Sequence, residues 1–246
     1  GGFSGSSVTS GTLSVVEGGA FTTGLVVSGN GVPASVVVDG AGSRLIARQS
    51  FAQIGYEGTQ GTLEVRNQGQ FLCDTSTTSL RIGGQAGSTG GVKIHSFGEL
   101  RADRISVGYQ GQGSIEVDNM GKILGPTGGA AASMFIGDQP GSRGFVKLSG
   151  LSEMKVGELR VGSLGSGELS LPLSSTVTAT GPTIIGHSGS GFVTVGPLSN
   201  LRADGGLTVG HNTSSGHLKL NGGLVRVGPS GEGPLVLGET TYGTGT

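Results

Sequence analysis

The residue types that could do chemistry in this 246-residue chain sit at a few recurring places. Asp74 and Asp103 each follow a short apolar stretch, and Asp204 does so again later in the chain. Carboxylates repeating at one corner could share a cation or contact a glycan or protein partner, although Asp also suits turns because it bonds nearby backbone N–H groups. Asp103 lies beside Arg101 and Arg104, the best carboxylate–cation set in the chain for acting on a polysaccharide. His187 and His211 follow equivalent glycines. Two imidazoles in register could titrate near neutral pH or offer two metal ligands, but without a third they make a poor site. Tyr56 and Tyr109 belong to the same corner series and could stack on sugar rings. Cys73 is the sole cysteine, which excludes an internal disulfide and any Cys-based zinc cluster.

Positioning these residues is the task of a repeat. A small residue ahead of an apolar-x-apolar stretch opens units at Gly11, Ala34, Gly61, Gly91, Gly113, Gly144, Gly167, Gly191 and Gly216. A core unit of about 23 residues with insertions suits one coil of a solenoid. Each unit holds three short stretches with period two, such as Leu63-Glu64-Val65, Phe71-Leu72-Cys73 and Leu80-Arg81-Ile82. Period two means strand, with alternate residues facing core and water. Strands of about three residues cannot form a stable sheet alone, so coils must stack, and nine of them make a rod roughly 40 Å long. Seven third stretches end in Gly55, Gly83, Gly108, Gly137, Gly162, Gly186 and Gly210, where a sharp turn with positive φ is expected. The expected fold is therefore all-β: a parallel β-solenoid (β-helix) of about nine three-stranded coils, with residues 1–246 forming one domain.

Composition narrows the function. Fifty-three Gly against 13% charged residues excludes an ordinary globular domain, and the absence of a strict third-residue Gly excludes collagen. A net charge of −1 with scattered Lys and Arg offers no basic face, so nucleic acid is not an expected partner. Apolar runs fall far short of the roughly 20 residues a membrane-spanning helix needs, so no membrane insertion by this segment is expected. The opening Gly1-Gly2-Phe3-Ser4 reads as the start of a processed or excised piece.

In a solenoid the informative neighbours are equivalent positions of successive coils. The outward residues Glu64, Lys93, Glu116 and Lys147 form an alternating charge ladder, which disfavours a catalytic pair of Glu64 and Glu116 because Lys93 keeps both ionised. Cys73 takes a place held elsewhere by Ala47, Ala102, Ala179 and Ala203, a small inward position that makes the thiol inert packing. The two longest insertions, around Asp74 to Ser79 and Gly125 to Ser133, leave the same edge.

The segments Ile54 to Gly69 (IGYEGTQGTLEVRNQG) and Val107 to Val117 (VGYQGQGSIEV) resemble the Gly-rich repeat of bacterial autotransporter passengers and related exosortase-sorted surface proteins. That resemblance implies a secreted or surface-exposed parallel β-helix and carries over no catalytic residue. The expectation is an extracellular, non-catalytic scaffold, adhesin or filament subunit without a cofactor. It would self-associate end to end, with a surface glycan or host ligand as a further partner. The alternatives are a polysaccharide lyase or glycoside hydrolase built on the β-helix, and a glycan-binding module without turnover.

Overall fold

The computed structural model describes residues 7–8, 10–23, 26–27, 33–48, 51–73, 78–126, 131–212, 214–238 and 244–245. These residues form an all-β, wholly parallel solenoid with three strands per coil. The first strands of successive coils make a ten-stranded sheet running from Gly11–Val15 to Thr244–Gly245. The second strands make a nine-stranded sheet from Ala20–Thr23 to Leu224–Val227, and the third a ten-stranded sheet from Ser7–Val8 to Leu235–Leu237.

The alternating pattern produces this arrangement directly. In the strand Gln60–Arg66, Gly61, Leu63 and Val65 are buried while Thr62, Glu64 and Arg66 face outward. Leu63 lies in register with Val36 on one side and Val92 on the other, and all three are buried. The inward residues of one coil, Ile115, Val117, Ile123, Met134 and Ile136, are likewise sealed from solvent. Each such side chain contributes about 1.5–3 kcal/mol once buried, and only the coils above and below can bury it.

Two details differ from the sequence reading. First strands reach seven or eight residues, as in Arg143–Ser149 and Ser166–Leu173, rather than about three. The glycine and polar residue ahead of each apolar stretch stay extended and pair with the neighbouring coil, which lengthens the ladder. The fourth unit also begins one residue earlier than expected, because Gly90, not Gly91, pairs with Gly61 and Gly113.

Glycine is required where coils touch most closely. Gly108 turns the chain after a third strand with φ of +67°, and Gly113 opens the next first strand. A Cβ on Gly113 would lie 2.1 Å from the Gly108 nitrogen and 2.7 Å from the Ile82 oxygen. All seven third-strand glycines named above have positive φ.

The corner between first and second strands is built differently, from non-glycine residues in the left-handed region. Gln68, Phe97 and Met120 all have positive φ, and each amide donates to a carbonyl of the next coil, at Ser96, Asn119 and Gly150. The same corner leaves Phe97, Leu151 and Leu198 exposed to solvent.

Candidate functional site

The outer face of the third-strand sheet and the corner after it gather the flat and charged side chains. Arg81 lies at the centre of the strand Ser79–Ile82, in register with Gln53 below and Ser106 above. Its guanidinium carbon sits 4.7 Å from the centroid of the Phe51 ring and 4.3 Å from that of Tyr109. Further along the axis, Phe135 lies between Arg104 at 4.2 Å and Arg160 at 5.4 Å. The His187 and His211 rings then stack 4.8 Å apart with planes 8° from parallel. Coil stacking at the strand spacing brings planar groups of neighbouring coils face to face.

Among the described residues, two of the three arginines on the outer face of this sheet are paired with acids. Arg104 reaches Asp138 at 3.1 Å, and the Ser106 hydroxyl donates to the same carboxylate at 2.7 Å. Arg160 pairs with Glu158 at 2.6 Å. Arg104, Asp138, Glu158 and Arg160, with Phe135 and His187, line an open cleft of about 460 Å³. Among the described residues the Arg81 side chain has neither a hydrogen bond nor an ion pair, only its two ring contacts.

The environment of His187 favours its neutral imidazole form. Burial pushes the pKa of His187 below its ordinary value, and the nearby Arg160 and His211 add to the effect. Arg160 Nη1 can only donate, so His187 Nε2, 3.5 Å away, accepts, and the ring proton sits on Nδ1 facing the Ser188 hydroxyl at 3.3 Å. Ligand lone pairs lie in the imidazole plane, and zinc sits about 2.0–2.1 Å from nitrogen, so two parallel stacked rings cannot converge on one ion in this arrangement. Among the described residues no three His, Cys, Asp or Glu side chains are placed to hold a metal.

The other sequence candidates fall as follows. Tyr56 and Tyr109 share the corner, with Gly84 between them, and one face of Tyr109 is covered by Arg81. Asp103 is half-buried, but its expected cationic partners turn elsewhere: Arg101 binds Glu99 and the Gly125 carbonyl, and Arg104 binds Asp138. Asp74 lies outside the described residues, as does most of its insertion. Cys73 is buried in register with Ala47, and burial pushes its thiol pKa far up. The Glu64, Lys93, Glu116 and Lys147 ladder is in register as expected. Glu64, however, is taken by Arg66 at 3.2 Å and His95 at 2.8 Å, and among the described residues no ion pair joins the Lys and Glu of the ladder. Exposed lysine tips gain little from pairing compared with hydration.

Sequence reasoning missed the Phe51–Arg81–Tyr109 clamp and the buried Asp138. The signal was available in the outward column of the third strands, where Arg81, Ser106, Phe135 and Arg160 follow one another. No family model, no curated protein and no solved structure matches this chain.

Proposed function

We propose that this chain is an extracellular, non-catalytic β-solenoid scaffold of the stalk, adhesin or filament kind, and that its copies stack end to end. One observation carries the reading. At the last described coil the inward positions are open: Leu235 and Leu237 are 56% and 61% exposed, whereas their register partners Leu207 and Val209 are 2% and 1% exposed. At the other end Phe21, in register with the buried Leu45, is 37% exposed. A further coil bearing the same apolar columns covers either face, whether it belongs to the same polypeptide or to a second copy, and the parallel edge strands there supply a ready hydrogen-bonding template. The extracellular placement draws on the resemblance of the Ile54 to Gly69 repeat to bacterial surface proteins.

The test is light scattering and negative-stain electron microscopy of the purified chain over a hundredfold concentration range. Filaments or rods in multiples of one solenoid length are expected, and Leu235→Lys with Leu237→Lys reduces them to single rods. A wild-type chain that stays a single rod at the highest concentration refutes end-to-end assembly.

A further inference from the structure

Among the described residues, the outer face of the third-strand sheet carries three arginines, and only one is without an acid. Arg104 has Asp138 and Arg160 has Glu158, whereas no acid lies in ion-pair contact with Arg81. This guanidinium lies between the Phe51 ring of the preceding coil and the Tyr109 ring of the following one, 4.7 and 4.3 Å from their centroids. Rings on both faces leave only the planar edge for hydrogen bonding, and that edge presents paired N–H donors matched to the two oxygens of a carboxylate. Because the clamp holds the side chain before any ligand arrives, much of the ordering cost of a flexible arginine is already met.

The surroundings describe what carries the carboxylate. Ser79 lies two residues before Arg81 on the same outward side of the strand, and it is half-buried. Tyr109 contributes a phenol whose ring is already fixed by Arg81. Hydroxyl donors and acceptors around one carboxylate-specific edge, on an open sheet face that repeats every coil, suit a linear chain of hydroxylated acidic rings. The geometry points to Arg81, clamped by Phe51 and Tyr109, as the anchor of a binding site for a uronate unit of an acidic polysaccharide. The sugar carboxylate takes the guanidinium edge, and sugar hydroxyls reach Ser79 and Tyr109. The site needs one chain only, so it is independent of end-to-end assembly.

Isothermal titration calorimetry with a glucuronate hexamer tests this, alongside its carboxyl-reduced neutral form, a sulfated hexasaccharide and a hexaglutamate peptide. Measurements on the single-rod Leu235→Lys, Leu237→Lys variant keep assembly out of the readout. The glucuronate hexamer is expected to bind, and at least tenfold more tightly than the other three. Arg81→Ala abolishes that binding, and Arg81→Lys weakens it at least tenfold while keeping the charge, because an ammonium lacks the planar fork. Tyr109→Leu weakens it several-fold with Arg81 still in place. Lys219→Ala, which removes one positive charge from the first-strand sheet, leaves it unchanged, and far-ultraviolet circular dichroism confirms that each variant is folded. The assignment is overturned if the glucuronate hexamer does not bind, if Arg81→Lys binds it as wild type does, or if the sulfated sugar or the acidic peptide binds as tightly.

Discussion

Replacing Gly108 with Ala tests whether glycine corners, rather than core residues alone, set how closely the coils stack. Gly108 has φ of +67°, and a Cβ there would lie 2.2 Å from the Arg143 oxygen and 2.4 Å from its carbonyl carbon. The left-handed conformation costs an L-residue about 1–2 kcal/mol. Relieving the clash means moving one coil off its neighbour by roughly an ångström at this corner. That weakens the bonds from the Gly137 amide to Val107 at 2.8 Å and from the Asp138 amide to Gly108 at 3.0 Å. At about 1 kcal/mol net for each, the expected cost is about 3–4 kcal/mol in all. Two controls separate the contributions. Gly58 has φ of +73° with nothing within 4 Å of a Cβ, so Gly58→Ala costs only the conformational part, about 1 kcal/mol. Gly91 is outside the left-handed region, and a Cβ there makes ordinary contacts at 3.7 and 3.8 Å, so Gly91→Ala is neutral or stabilising by up to about 1 kcal/mol. Urea unfolding by circular dichroism gives the order. Hydrogen exchange localises the loss, because a solenoid opens coil by coil. If Gly108→Ala falls within 1 kcal/mol of Gly58→Ala, the close-approach argument is wrong.

Three further outcomes follow from the structure. His187 has a lowered pKa when folded, so the unfolded chain binds its proton more readily, and stability is lost as pH falls below about 6.5; the drop in melting temperature between pH 7.5 and 5.0 is therefore smaller in His187→Asn, and an equal drop counts against a His187 held neutral by burial. Buried Cys73 is expected to resist a thiol reagent at pH 8 until urea unfolds the chain, and Cys73→Ala to cost only about 1 kcal/mol, since Ala holds the equivalent place in the preceding coil; rapid labelling of the folded chain contradicts this. Leu198 is 76% exposed at φ of +58°, so Leu198→Asn is expected to stabilise by up to about 1 kcal/mol in thermal melts, and a loss of stability shows that the exposed leucine packs on something in solution.

The fold was largely legible in the chain, and particular residues show why. Leu63, Val65 and their counterparts alternate with polar neighbours, which assigns strand and inward face without any tertiary information. The seven glycines closing the third strands mark corners because no other residue adopts that φ without cost. Cys73 could be placed inward from its alignment with alanines alone. Legibility ended at the left-handed corner through Phe97, Met120 and Leu151, where apolar residues occupy positions that local preference assigns to Gly or Asn. Cross-coil hydrogen bonds from the Phe97 and Met120 amides hold that conformation, and such bonds exist only once coils are stacked.

The candidate site divides along the same line. The chain by itself determined period-two strands, glycine corners and a coil repeat, because each depends on a residue and its near neighbours in sequence. Which outward side chains meet was decided only by the tertiary structure. Arg81 closes between Phe51 and Tyr109, and Arg104 turns from the adjacent Asp103 to Asp138, across gaps set by unequal insertions. The physical reason is that stacking brings equivalent positions of neighbouring coils to one strand spacing whatever the length of chain between them. A side chain's partner is therefore set by register rather than by distance along the sequence, and that is how one arginine is left clamped and without an acid.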